Sequence, residues 1–212
     1  MRELEMDFHD PVYDPLEPYN RMMFRFNDAF YARVATPVSR GYAEVVEEKF
    51  RRGISNFFHN LSFPGRLINN LLQGRPVRGA KEVAGFVVNT TFGFGGLVKA
   101  SEGIPALDPA PPEKDVDTTL STWGVGHGIY IVWPIRGPST LRSSAAMVGD
   151  SFLYPPVYLE PDSLRWGVSA GETMNELPGY MNMYQNMEEF GLEPYSAVRD
   201  GYVQHRESKA RR

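Results

Sequence analysis

Asp14-Pro15-Leu16-Glu17-Pro18-Tyr19-Asn20-Arg21-Met22-Met23-Phe24-Arg25-Phe26-Asn27 reads as the first helix of the chain and sets the class of the fold. Asp before Pro is a helix-start signal: the carboxylate can cap free N–H groups, and the ring pre-sets φ at the first position. From Leu16 onward Tyr19, Met22, Met23, Phe26, Phe30, Tyr31 and Val34 recur at helical spacing, and Phe24 carries the apolar surface almost all round. A helix that is apolar on all sides is buried in protein or in lipid, and sequence periodicity does not separate the two.

The rest of the chain repeats the theme in shorter pieces, cut by seventeen prolines and twenty glycines. Pro37 is expected to restart the chain. Phe50, Ile54, Phe57, Phe58 and Leu61 form a second helical stripe, ending near Pro64. Leu67, Ile68, Leu71 and Leu72 form a third, stopped by Gly74. Val77, Ala80, Val83, Ala84, Val87 and Val88 form a fourth, ended by Phe92-Gly93-Phe94-Gly95-Gly96. Residues 104–113, rich in Pro and Ala, read as an extended loop. Ile129-Tyr130-Ile131-Val132-Trp133 is β-branched and aromatic, the composition of a short strand, but with no partner in view. Gly137 to Thr140 is expected to open another helix, running toward Val148 and broken at Tyr154-Pro155-Pro156. Three closing helices are expected over Ser163–Glu176, Tyr180–Phe190 and Pro194–Glu207. No linker or repeat divides the chain. The expectation is one mainly α domain over residues 14–206, preceded by an acidic arm (residues 1–13) and followed by a disordered basic tail (residues 207–212).

Composition narrows the function. At 42% hydrophobic and 23% charged, the chain can bury a core. A net charge of -4 argues against a nucleic-acid partner. Cysteine is absent, which removes thiolate chemistry and cysteine metal sites. The acidic start, from Glu3 to Glu17, and the basic end, from Arg199 to Arg212, read as solvated termini. Met1–Asp10 shows no apolar signal region. Neither uncharged stretch, Val83–Val98 or Thr118–Ile135, is the apolar run of about 20 residues that spanning requires. Amphipathic helices lying in one leaflet remain open.

Catalytic signatures are sparse. His9, His59, His127 and His205 are scattered and none belongs to an H-E-x-x-H helix. There is no G-x-S-x-G elbow. Ser139, in Gly137-Pro138-Ser139-Thr140, reads as a turn or helix cap. Gly93–Gly96 follows a helix and lacks a Gly-Lys-Ser/Thr ending, so it is a poor phosphate loop. No cofactor is expected.

Six ordered blocks carry a resemblance. They are Asp14–Arg21 with Phe24, Phe26 and Asn27; Gly53-Ile54-Ser55-Asn56-Phe57; Asn69 with Leu72-Gln73-Gly74; Asn89-Thr90-Thr91-Phe92-Gly93-Phe94-Gly95-Gly96; Gly124-Val125-Gly126-His127-Gly128-Ile129-Tyr130; and Leu141-Arg142 with Tyr195-Ser196-Ala197-Val198-Arg199-Asp200. Together they span roughly residues 14–206, and the chain resembles the MlaA/VacJ family of Gram-negative outer-membrane lipoproteins. The resemblance implies a ring of amphipathic helices on the periplasmic side of the outer membrane, in its inner leaflet. It implies an amphipathic pore that passes mislocalised outer-leaflet phospholipids to a periplasmic carrier of the MlaC type, with a porin trimer as a further partner. It implies transport rather than catalysis; a lipid hydrolase or acyltransferase, or a porin scaffold, are the alternatives.

By position, the resemblance implies a polar, headgroup-facing lining at Asp150, Arg199 and Arg142, with Arg199 either on a phosphate or paired to Asp150. It implies a flexible pore loop at Gly124, Gly126 and Gly128, and a gating region in the first helix at Phe26 and Asn27, where core packing is the better expectation for Phe26. Ser143, Ser144 and Met147 stand where acids are usual, implying a less negative pore. The family's acylated cysteine is missing, so a lipid anchor is expected to be absent from this chain.

Overall fold

The computed structural model describes residues 12–107, 113–189 and 193–211. Most of the expected acidic arm and the middle of the Pro-rich loop lie outside those residues. Nine α-helices and one hairpin are described: α1 (Glu17–Phe30), α2 (Thr36–Val45), α3 (Glu48–Leu61), α4 (Phe63–Leu72), α5 (Pro76–Phe92), α6 (Val116–Thr122), β1 (Tyr130–Trp133), β2 (Gly137–Thr140), α7 (Leu141–Phe152), α8 (Asp162–Glu189) and α9 (Pro194–Arg211).

Local chemistry explains the boundaries, including four that differ from the sequence expectation. Pro37 does not restart the chain. Its missing N–H and its ring clash are absorbed by a π-turn at Tyr31–Ala35, in which the Thr36 N–H reaches back to the Tyr31 carbonyl, so α1 and α2 run on as one helix. Gly137–Thr140 is a strand, not a helix start: it pairs antiparallel with Tyr130–Trp133, and only Thr140 turns into α7, its hydroxyl accepting the Ser143 N–H at 3.1 Å. Pro178 lies inside α8, so two expected helices are one. The basic tail is the last turn of α9 through Arg211, held because the Lys209 ammonium meets Asp115 at 3.2 Å. Helix α6 has no counterpart in the sequence expectation. Asp115 caps it, accepting the Thr118 N–H at 2.8 Å while the Thr118 hydroxyl accepts the Asp115 N–H at 3.0 Å.

The order of packing closes on itself. Helix α1 runs into α2, α2 lies on α8, α8 on α3, α3 on α4 and α5, α4 on α6, α6 on α7 and α9, α9 on β2, and the hairpin returns to α1. The elements therefore form a ring. Its joints are made largely by amide side chains. On α1, Asn20 and Asn27 stand two turns apart on one face and treat the edge of the hairpin as a third strand would. The Asn20 amide donates to the Tyr130 carbonyl at 3.0 Å and accepts the Val132 N–H at 2.8 Å. Asn27 donates to the Trp133 carbonyl at 2.9 Å and accepts the Ile135 N–H at 2.6 Å. Asn175 on α8 donates to the Arg51 carbonyl and Ser55 hydroxyl of α3 and accepts from Tyr42 of α2. Asn69 of α4 accepts the Thr119 hydroxyl of α6 at 2.7 Å.

Burial is inverted relative to a water-soluble domain. Among the described residues the buried set is mainly polar: Asn20, Asn69, Asn70, Asp117, Thr118 and Thr140 are almost wholly inaccessible. Large apolar side chains instead stand outside, Val45, Val77, Phe92, Phe94 and Trp166 among them. Among the described residues, apolar side chains gather in two small core clusters, one around Tyr31, Met181 and Tyr184 and one around Tyr130, Val132, Tyr195 and Val203. No helix among the described residues is long and apolar enough to cross a membrane. Removing the Asn20 amide leaves a buried N–H and C=O of β1 without partners, so Asn20→Ala should lower unfolding stability by about 2 kcal/mol, read by denaturant titration in detergent micelles.

Candidate functional site

Inside the ring lies a cavity of about 480 Å³, walled by α3, α4, α7, α8 and α9 and by the segment leading into α6. Phe58 and Leu153 supply an apolar surface and charged groups the rest, so the hole is amphipathic.

Its charges are mostly locked in pairs. His59 sits 3.1 Å from Glu113, and that contact holds the Glu113 carboxyl down at about 2. Arg66 is buried against Glu82 of α5 at 2.9 Å. The Lys114 ammonium, almost wholly buried, donates to the Lys209 carbonyl at 2.8 Å. Burial, aided by Arg75, Arg78 and Lys209 nearby, pulls its pKa down to about 8. At Asp115 burial pushes upward, but Lys209 and Arg206 outweigh it and hold the carboxyl at about 2. Asp150, Glu172 and Glu176 run the other way: burial raises all three, and the Tyr154 hydroxyl donates to Glu172 at 2.6 Å.

Behind the cavity, Asp117 gathers α6, α7 and α9. It accepts the Arg142 Nε–H at 2.9 Å, the Ser143 hydroxyl at 2.9 Å and the Arg206 Nε–H at 2.9 Å. Burial works against its charge, and these donors hold its pKa below the usual value. Arg142 also donates to the Val125 carbonyl at 2.7 Å, fastening the loop after α6. That loop borders a second cavity of about 530 Å³, lined by Gly124, Gly126, His127, Arg142, Arg75 and Arg211 among others.

The residues singled out from the sequence therefore separate. Asp150 lines the central cavity, its carboxylate accepting the Val116 N–H at 2.9 Å. Arg142 and the glycines Gly124 and Gly126 line the second. Arg199 lines neither, and it does not pair with Asp150: it is buried with Asp200 at 2.7 Å beside the Tyr195 ring. Phe26, expected in a core, is exposed on the outside of α1, because its neighbour Asn27 takes the inward direction to hold the hairpin. Ser143 and Ser144 do not line the central cavity; they bond to Asp117 and Trp133, and the cavity takes its acids from elsewhere. The sequence reading missed His59, Glu113, Lys114, Lys209, Glu172 and Glu176. The one readable sign was Glu172 and Glu176 at i,i+4, which puts both on one face of a helix.

The glycines differ in kind. Gly124 has φ +86 and ends α6 in a Schellman turn, with Gly124 N–H on the Ser121 carbonyl and Val125 N–H on the Leu120 carbonyl. Gly128 has φ +70, and a Cβ there would meet Leu141 Cβ at 3.1 Å. Gly126 has ordinary φ and open space around it.

The chain as a whole has counterparts among known proteins. The family model of the MlaA lipoprotein matches residues 12–209. The chain belongs to the MlaA lipoprotein family. The intermembrane phospholipid transport system lipoprotein MlaA of Escherichia coli K12 is 34% identical over 198 residues, which is 90% of this chain and 76% of the relative. Its namesake in Haemophilus influenzae is 32% identical over 144 residues, covering 67% of this chain and 57% of the relative. A solved structure on the structural basis for maintenance of bacterial outer membrane lipid asymmetry superposes with a TM-score of 0.79 at 32% identity, covering 93% of this chain and 99% of that one. The ring of helices is thus the fold of the family.

Gly128→Ala should cost about 1–2 kcal/mol, from its left-handed backbone and the Leu141 contact, whereas Gly126→Ala should stay within about 0.5 kcal/mol; thermal unfolding of the two variants separates them. Asp115, held near 2 in the folded state against an ordinary 3.8, contributes stability that is complete above about pH 4 and is lost as pH falls toward 2. Asp115→Asn should flatten the stability–pH curve in that window, removing about 2 kcal/mol of the stability change across it.

Proposed function

We propose that this protein transports phospholipids at the outer membrane, lying in the inner leaflet and passing mislocalised lipids through the cavity of its ring toward the periplasm. The observation that carries this reading is the inverted polarity. Apolar side chains such as Val45, Val77, Phe92 and Trp166 face outward, where acyl chains can cover them, and an amphipathic hole lined by charged groups lies inside the ring. Covering apolar surface with lipid is favourable by roughly 25 cal/mol per Å². A phospholipid brings one charged head and two apolar tails, and the cavity offers charged groups together with Phe58 and Leu153. Relatives named for intermembrane phospholipid transport support the same reading.

In this mechanism no bond is made or broken. The protein supplies a path of intermediate polarity, so that neither head nor tails need cross the wrong medium. A periplasmic lipid carrier of the MlaC type, binding the lipid more tightly than the ring does, gives the step its direction. A porin trimer is the proposed support in the membrane. Asp150 contributes to the path; Arg142 and the Gly124–Gly128 loop act on the second cavity beside it.

Mass spectrometry of lipids extracted from gently purified protein should find intact phospholipid. Gly65 borders the cavity with ordinary room at its Cβ (Leu153 Cβ at 3.5 Å), so Gly65→Leu should keep the fold and obstruct the hole. Transfer of labelled phospholipid from vesicles to an acceptor protein should fall strongly in that variant. Lyso-lipid or free fatty acid appearing with the wild type would replace transport by hydrolysis, and undiminished transfer through Gly65→Leu would move the path out of this cavity.

A further inference from the structure

The charges of the central cavity do not balance locally: among the described residues its carboxylates Asp150, Glu172 and Glu176 have no ion-pair partner, and the last two share one helix. Three basic groups there have a carboxylate partner: Arg66 holds Glu82, His59 holds Glu113 and Lys209 holds Asp115, while Lys114 is bonded to the Lys209 carbonyl. Lys99 is the least committed, with Glu102 at 3.8 Å. Asp150 accepts the Val116 N–H and Glu172 the Tyr154 hydroxyl, but Glu172 and Glu176, one turn apart on α8, are adjacent carboxylates with no base against them among the described residues. Among the described residues no lysine, arginine or histidine lies within ion-pair distance of either. Like charges at this spacing repel. Burial raises both carboxyls, and Glu176 is pushed further by Glu172 and Glu113.

Two adjacent carboxylates without an ion-pair partner, in a cavity that also holds bases, call for a cation that arrives with an anion attached. A metal ion fits poorly: among the described residues no three His, Cys, Asp or Glu stand close enough to hold one. A primary ammonium fits well. It carries three N–H donors and can bridge two carboxylates whose Cβ atoms are about 5–6 Å apart.

We infer that Glu172 and Glu176 bind the ammonium of a zwitterionic phospholipid headgroup while Lys99 meets its phosphate, so that the cavity selects phosphatidylethanolamine-type lipids over purely anionic ones. This rests on the transport reading and names the lipid class for it. Phosphatidylglycerol has the phosphate but would leave both glutamates unpaired. Phosphatidylcholine has the charge but no N–H to donate.

The test offers the purified chain vesicles of equimolar phosphatidylethanolamine, phosphatidylcholine and phosphatidylglycerol, then repurifies it and quantifies the captured lipid. The expected result is phosphatidylethanolamine enriched about threefold or more over phosphatidylglycerol, with the enrichment lost in Glu172→Gln/Glu176→Gln at unchanged far-UV circular dichroism. Equal capture of the two lipids by the wild type, or enrichment retained in the double variant, overturns the inference. Should the double variant not fold, the wild type decides: phosphatidylcholine captured as well as phosphatidylethanolamine overturns the hydrogen-bonded pairing. Lipid without headgroup preference overturns this assignment alone, whereas no lipid at all on the wild type overturns the transport reading with it.

Discussion

The ring stands on buried amides. A helix pair in a water-soluble domain is joined by interdigitated apolar side chains, because water drives them together. Here much of the apolar surface faces outward and the inner side borders an amphipathic hole, so joints need directional bonds instead. Asn20 and Asn27 between α1 and the hairpin, Asn175 among α8, α3 and α2, and Asn69 between α4 and α6 supply them. An amide suits the position because it donates and accepts at once, without a charge to desolvate. Leaving one such group unpaired in the interior costs more than the bond itself contributes, which fixes the register of each joint.

Where an amide does not suffice, the ring uses charge. Asp117 draws Arg142, Ser143 and Arg206 to one point, and Asp115 adds Arg206 and Lys209. Buried ion pairs contribute little net stability but are costly to break singly. Their effect here is geometric: α6, α7 and α9 are set around one carboxylate, which places Asp150 and Lys209 on the cavity wall and Arg142 under the glycine loop. The short helix α6 exists in that position because its cap, Asp115, is itself an ion-pair partner of α9.

The cavity that results is lined by residues far apart in the chain, from Ser55 to Lys209. Of the polar positions singled out from the sequence, Asp150 belongs to it, Arg142 lines the neighbouring cavity, and Arg199 is held by Asp200. An isolated arginine in a sequence does not announce whether a carboxylate will fold onto it. Phe26 and Asn27 show the same difficulty in adjacent residues: one helix turn decides which is exposed and which is bonded to the hairpin.

What the sequence determined by itself was the helical class, the outline of most helices and the family. Each rests on short-range information: apolar spacing, capping residues, glycine stops, and six ordered blocks that include Asn20, Asn27, Asn56, Asn69 and Asn89. What only the tertiary structure decided was the role of those asparagines, the pairing of Gly137–Thr140 with β1, the passage of helices through Pro37 and Pro178, and the membership of the cavity. Hydrogen bonds and ion pairs between residues a hundred or more apart leave no periodic trace in a single chain. An apolar stripe reads the same whether protein or lipid covers it, and only closure of the ring shows which side faces out.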